Sequence, residues 1–425
     1  MSRRDANAAL AVLTAINFLN YIDRYVPAAV FEPIKRDLHF TDAQLGWILS
    51  AFMLTYAVTS PLFGRLGDLM TRKYLISAGV ALWSFATAGA GLARSFWHMF
   101  VPRTLVGIGE ASYATLSPTI ITDFYERERR GRALAVFYAA IPVGSALGFI
   151  LGGKLAENFG WRAAFFMVGL PGLMFALLAL TIREPRRGGS DPSSATPGLP
   201  APTLSATYGM LWRNRTYVLV TAGFVAYAFS LGGLVGWMPA FLERYDGMTT
   251  AQANQTFGAI AVVAGFLGTF LGGFLGDYLL RYTSHSYLWV SGLCMFVGAP
   301  FSVVALAARE PLIFLPAIFL AEFFLFLNTG PLNAVVLGCV PAQIRATAMA
   351  VNIFFIHALG DAISPPVIGM LSDRFGLFRA TLLAPLMMLV SGGILLWAIR
   401  SQSGTGGPTP AHVDSAASPQ ATADR

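Results

Sequence analysis

Asp23 and Arg24, Arg103 and Glu110, and Glu322 and Asp361 all stand inside long apolar runs of this sequence. A charge at the centre of a bilayer costs from about 3 to above 10 kcal/mol depending on method, so residues of this kind face a cavity and pair. Arg103 and Glu110 are seven residues apart, two turns along one helix face. Asp23 with Arg24 lies in the outer part of a first apolar segment that runs opposite to the one carrying Arg103 and Glu110. The four can meet as one neutral cluster of two acids and two bases. Two chemistries suit such a cluster. Asp23 or Glu110 can exchange a proton when another anion competes for the neighbouring arginine, and a guanidinium at Arg24 or Arg103 can grip a phosphate or carboxylate bidentately. The plainer reading is that the charges only tie helices together, which is a weak way to gain stability compared with apolar packing.

Farther along, Glu322 and the pair His357 and Asp361, four apart on one helix face, form a second candidate titratable set. A single histidine in such a setting is more often a satisfied packing residue. Asn328, Thr329 and Asn333 add polar groups whose ordinary role is an interhelical hydrogen bond. Cys294 and Cys339 lie in apolar runs without metal-ligand spacing, so the expectation is neither disulfide nor metal. The chain has no Gly-x-Ser-x-Gly elbow, no His-Glu-x-x-His and no Gly-x-x-x-x-Gly-Lys loop. No enzymatic activity, ATP-driven step or cofactor is expected.

The elements that must position these residues follow from composition. Of 425 residues 55% are hydrophobic and only 12% charged, against roughly 25% charged in soluble domains. Apolar runs of about 20 residues recur, long enough to cross a ~30 Å hydrocarbon core, and they lack the period of two of a membrane barrel. Twelve spans are expected at 8–30, 41–63, 74–93, 97–122, 131–153, 162–182, 217–242, 252–276, 286–308, 311–336, 347–370 and 377–399. The charged first run lacks a small-residue cleavage site and reads as a retained span rather than a signal peptide. A Pro-, Ser-, Gly- and Arg-rich stretch separates two halves of six, which sets the expected division: 1–182 and 217–400 as six-helix bundles, 183–216 as a linker, 401–425 as a disordered tail.

Eighteen of the 29 basic residues fall on the side of the termini and nine on the other, which places both termini in the cytoplasm by the positive-inside rule. The net charge of +7 is thereby read as topological, not as a nucleic-acid surface.

Gly64-Arg65-Leu66-Gly67-Asp68, after span two, has a weak echo in Gly273-Phe274-Leu275-Gly276-Asp277 after span eight. Extended to Lys73, the first segment resembles the signature loop of the major facilitator superfamily, with Thr71 where a glycine is usual. Arg103 to Ala111, and Pro142, Gly144, Gly148, Gly152 and Gly153 in span five, resemble further stretches of that superfamily. The resemblance covers essentially the whole ordered chain. It implies an all-α membrane protein of the major facilitator fold, twelve transmembrane helices in two six-helix bundles that rock about a central site. Gly64, Gly67, Asp68, Arg72 and Asp123 then form a gating motif. Glycines let helices approach, Asp68 faces a helix N-terminus of the other half, and Arg72 pairs with Asp123.

Within the superfamily, Asn20-Tyr21-Ile22-Asp23-Arg24-Tyr25 combined with Arg103 and Glu110 most resembles the spinster family of lysolipid and sphingolipid transporters. The organic-anion:cation symporters share a similar Asn-Tyr-x-Asp-Arg start. The implied function is proton-coupled secondary transport of an amphipathic, lipid-like solute by a monomer in a plasma or bacterial-type inner membrane, with protons, the solute and the bilayer as partners. Asp23 and Glu110 would couple protons; Arg24, Arg103, Glu322, Asn328, His357 and Asp361 would hold substrate. Some of the 33 phenylalanines, such as Phe319, Phe323 and Phe326, could line a path for an acyl chain, although most face lipid or neighbouring helices. The alternative is a symporter of small organic anions. A receptor of the same fold would need a long soluble domain to pass on a signal, and none is evident.

Overall fold

The computed structural model describes residues 3–185, 203–341 and 344–402, and every regular element among them is a helix. Twelve long helices alternate in direction. In the first half they are α1 (Arg3–Ala29), α2 (Asp42–Leu69), α3 (Arg72–Ala90), α4 (Phe96–Phe124), α5 (Arg132–Phe159) and α6 (Trp161–Leu180). In the second they are α7 (Arg215–Tyr245), α8 (Thr250–Leu279), α9 (Ser286–Ala307), α10 (Pro311–Gly338), α11 (Thr347–Phe375) and α12 (Leu377–Arg400). Nine of these are long and apolar enough to cross a membrane by length and composition alone. The other three are α1 and α4, which carry the charges singled out above, and α3, which opens on Arg72 and Lys73. We call the side holding Arg3 the terminus face and the opposite side the distal face.

The two halves repeat the same local solutions. Thr41 opens α2 and Thr249 opens α8 with the same capping box, in which the threonine hydroxyl accepts from the amide of Gln44 or Gln252 and the glutamine side chain accepts back at 3.0 Å. The tight distal connections α5–α6 and α11–α12 each turn on a glycine of matching geometry, Gly160 at φ 85° and Gly376 at φ 83°, a region that side chains rarely occupy. Across the halves α2 packs on α11 and α5 packs on α8.

Small residues bring the charged helices close to their neighbours. A Cβ at Gly148 of α5 would lie 2.6 Å from the carbonyl oxygen of Ile22, beside Asp23, and one at Gly109 of α4 would lie 2.5 Å from that of Gly79 on α3. Both crossings exclude any larger residue and bring α1 against α5 and α4 against α3.

The spans differ from expectation mainly at the terminus face. α2 runs to Leu69 and α8 to Leu279, so Gly64–Asp68 and Gly273–Asp277 are last helical turns and not loops. The chain has helical hydrogen bonds to satisfy until Met70, and two glycines do not break a helix packed against a partner. Part of the expected linker, Leu204–Arg213, is itself a helix. α12 continues through Gln402. The remainder of the expected linker, 186–202, and the tail from 403 lie outside the described residues.

Candidate functional site

The four charges of α1 and α4 meet. The Arg24 guanidinium donates to Glu110 Oε2 at 2.9 Å, and Arg103 Nη1 stands 3.7 Å from Asp23 Oδ1. Asp23, Arg103 and Glu110 are buried, with Glu110 and Arg103 wholly inaccessible. Thr87 of α3 donates its hydroxyl to the other Asp23 oxygen at 2.5 Å. The three guanidinium nitrogens of Arg103 have no hydrogen-bond partner among the described residues, a costly arrangement for five buried donors. Aromatic rings complete the surroundings. The Arg24 guanidinium carbon lies 4.7 Å from the Tyr21 ring centre, 4.8 Å from Phe52 and 5.3 Å from Tyr56, and Arg103 lies 5.4 Å from Phe52. The Phe52 ring thus contacts both guanidinium groups, and cation–π attraction helps hold them without a second acid.

Arg24 is the member of this cluster that reaches open space. It lines a cavity between the halves with Tyr25, Phe52 and Met53 on one wall and Leu231, Phe326 and Asp361 on the other. Its volume is about 140 Å³. Asp361 accepts from His357 at 2.8 Å, and the His357 ring meets the Tyr56 ring edge-on at 6.3 Å. The pair sits in a π-helical turn, Ile356–Asp361, at the middle of α11. Gly232 of α7 allows that turn to approach, since a Cβ there would lie 2.8 Å from the Asp361 backbone.

Glu322 does not join this pair. It is buried in α10 with neither carboxylate oxygen hydrogen-bonded. Asn328 marks the break in α10 and donates to the Phe324 carbonyl of its own helix at 2.9 Å. The second set expected from sequence is therefore split: Asp361 lines the cavity with His357 hydrogen-bonded to it, while Glu322 is buried in the second half, as is Asn328. Thr87, Phe52 and Tyr56 were not foreseen. Tyr21 had a signal, standing one helical turn from Arg24 within the quoted motif.

The distal face is closed by contacts between the halves. Arg244, at the end of α7, donates to both oxygens of Asp42 at 2.6 and 2.7 Å and to Glu32 Oε1 at 2.6 Å. Asp373, in the last turn of α11, accepts from the amides of Asp42 and Ala43 at 2.8 and 3.0 Å and so caps α2. The second copy of this arrangement joins α5 to α8, where Glu157 accepts from the Ala251 amide at 2.8 Å and the Thr249 hydroxyl at 2.9 Å. Arg36 reaches Glu243 at 3.5 Å, the mirror of Glu32 with Arg244. Beneath these, Asn254 of α8 donates to the Ala29 carbonyl at 2.8 Å, and Phe149 and Phe257 pack ring to ring.

At the terminus face the ion pairs of Arg72 lie within the first half. Arg72 pairs with Asp123 at 2.7 Å and with Glu184 at 2.8 Å, and Glu184 also accepts from the Lys73 amide. The nearest neighbours of Gly64 and Gly67 are Thr115 and Leu116 of α4. Asp68 is exposed at the end of α2.

Comparison with known proteins places this geometry. Residues 13–365 match the profile of the Major Facilitator Superfamily. The chain is 37% identical over 392 residues to protein spinster homolog 1 of Mus musculus, covering 88% of this chain and 74% of the mouse protein. The chain belongs to the spinster family of the major facilitator superfamily. Protein spinster of Drosophila melanogaster is 36% identical over 376 residues, 86% of this chain and 61% of the fly protein. A crystal structure of a bacterial homolog to the human lysosomal transporter spinster, in an inward-facing and unoccupied conformation, superposes with a TM-score of 0.87 at 26% identity, covering 94% of this chain and 98% of that one. The spinster chain described here is a multi-pass membrane protein of a transporter family.

Proposed function

We propose that this spinster-family protein carries an amphipathic solute with an anionic head group, of lysophospholipid or sphingoid type, in exchange with or together with protons, with both termini in the cytoplasm. The observation that carries the reading is Arg24, which lines the cavity while its guanidinium is ion-paired to the fully buried Glu110. An anionic head group entering the cavity competes for Arg24. Glu110, losing its counter-ion while buried, then takes a proton delivered through the cavity that Arg24 lines, because an unpaired buried carboxylate is far less stable than a neutral one. Asp23 and Arg103 form a second pair behind the first. His357 and Asp361 face the head group from the other half and make its binding sensitive to how the halves sit. The apolar walls formed by Leu49, Met53, Leu231 and Phe326 suit the start of an acyl chain. The eighteen-to-nine excess of basic residues on the terminus face supports the orientation.

One observation favours a smaller cargo. At about 140 Å³ the cavity is small, and a small organic anion needs less further opening than a lipid.

Proteoliposomes loaded with a pH-sensitive dye separate these readings. Lysophospholipids, phosphorylated sphingoid bases and small carboxylates are added in turn to wild type, Glu110→Gln and Arg24→Ala. Substrate-evoked proton flux is expected in wild type and reduced to the level of protein-free vesicles in both variants, and the class that evokes it identifies the cargo. Normal transport by Glu110→Gln, or substrate movement without protons, would overturn the coupling.

A further inference from the structure

The terminus face is basic in both halves, and acids are scarcest in the second. In the first half Arg72 holds Asp123 and Glu184, and Arg183 reaches Asp5 at 3.4 Å. In the second half Arg213, Arg215, Arg281, Arg345 and Arg400 share that face with one acid, Asp277, which is occupied by the Tyr287 hydroxyl at 2.6 Å. No acidic residue occurs in 203–242 or in 374–402. Arg213 and Arg215 are exposed and have no ion pair among the described residues.

These two arginines flank a groove of about 810 Å³ lined also by Met210, Asn214, Val340 and Ile344. The linker helix Leu204–Arg213 forms one side. It buries Thr207 and Leu211 against the bundle and turns Tyr208, Met210 and Trp212 outward, at 44%, 40% and 56% exposure. It is fixed in place by Asn214, whose side chain donates to the Cys339 carbonyl at 2.7 Å, and by the Trp212 ring against Phe355 at 5.6 Å. Arg215 stacks on Trp397, half exposed near the end of α12, at 5.5 Å. Outward tryptophan and tyrosine beside arginine, at the ends of membrane helices, is the pattern of residues held at the head-group level of a bilayer. Two exposed guanidinium groups with no acid among the lining residues suit a phosphate diester.

We infer that the linker helix rests in the interface of the terminus-side leaflet and that the groove between it and Val340, Pro341 and Ile344 binds the head group of an anionic phospholipid through Arg213 and Arg215. The site lies apart from the central cavity and does not depend on what the protein carries.

The test uses the purified full chain in detergent micelles, titrated with phosphatidylglycerol or with phosphatidylcholine of the same acyl chains, the retained lipid being counted by native mass spectrometry. Wild type is expected to retain phosphatidylglycerol in preference. The double variant Arg213→Ala with Arg215→Ala should bind it roughly thirtyfold more weakly, each arginine near a charged surface contributing about fivefold. Arg94→Ala, an exposed base on the distal face, should bind as wild type does. sn-Glycerol 3-phosphate at millimolar concentration should not displace the lipid, since it lacks the chains that the aromatic residues hold. Equal retention of phosphatidylcholine, unchanged retention by the double variant, or displacement by glycerol phosphate would each overturn the assignment. Should the double variant fail to fold, the same question is put to wild type by raising the salt, which must release phosphatidylglycerol and leave any phosphatidylcholine in place.

Discussion

The distal and terminus faces use the same chemistry to opposite ends. Both are built from arginine–carboxylate pairs at helix ends, yet Arg244, Glu32, Asp42 and Asp373 join the two halves, whereas Arg72, Asp123 and Glu184 stay within one. The distal set is also made twice, once at α2 with α11 and again at α5 with α8, and the copies are unequal. Asp42 is buried and receives two bonds from one guanidinium, while Arg36 is largely exposed and meets Glu243 only at 3.5 Å. Exposed pairs contribute about 0–1 kcal/mol and buried ones several when one partner is removed. The closure of this conformation therefore rests mainly on the α2–α11 copy, and the Arg72 pairs strengthen the first bundle.

The largest effect is expected from Asp42→Ala. It strands Arg244 beside Glu32 alone and removes the acceptor of Lys35 and Ser372. Because the Arg244 side chain keeps 19% exposure, we expect a loss of about 3 kcal/mol, the low end for a broken buried pair. Spin labels at positions 154 and 374 should then report a longer distance across the distal face by pulsed electron resonance, and an unchanged distance would refute the assignment of the latch.

Glu157→Gln tests the weaker copy. Two hydrogen bonds to a charged acceptor become bonds to a neutral one, a change of about 1 kcal/mol, so the same labels should move only part of the population. If Glu157→Gln opened the distal face as far as Asp42→Ala, the ranking of the copies would be wrong.

Asp123→Asn should sharpen the contrast from the other side. It weakens a pair inside the first half, so the melting temperature should fall by a few degrees, as about 1 kcal/mol does in a large domain, while the distal distance stays as in wild type. Smallest of all is the distal pair of Asp37 with Arg162, which lies within one half. Hydrogen bonds from Arg162 and Trp161 hold the Asp37 carboxyl below its usual range. Its contribution is present above the unfolded carboxyl range and is lost as pH falls through the lowered folded value. Asp37→Asn should abolish that increment of acid sensitivity and leave the distal distance alone.

Much of this was legible along the chain. The apolar runs, the charge asymmetry of the loops and the pairs Asp23–Arg24 and Arg103–Glu110 are local or periodic signals, and α1 and α4 carry them at depths that bring all four charges together. The distal latch left a weaker trace. Glu32, Asp42, Arg244 and Asp373 sit at helix ends, where charge is ordinary, and nothing in one dimension says that residues 202 or 330 positions apart will touch. Glu322 shows the opposite failure. Its type and depth match those of Asp361, but it is buried away from the cavity that Asp361 lines.

Sequence alone determined the class of this protein, because hydrophobic length, net polarity and glycine spacing act residue by residue on how a chain meets a bilayer. Only the tertiary structure decided which charges are partners and which face is shut, because ion pairs across the halves depend on how two bundles are placed. That placement is a balance of a few kilocalories per mole that no single segment encodes.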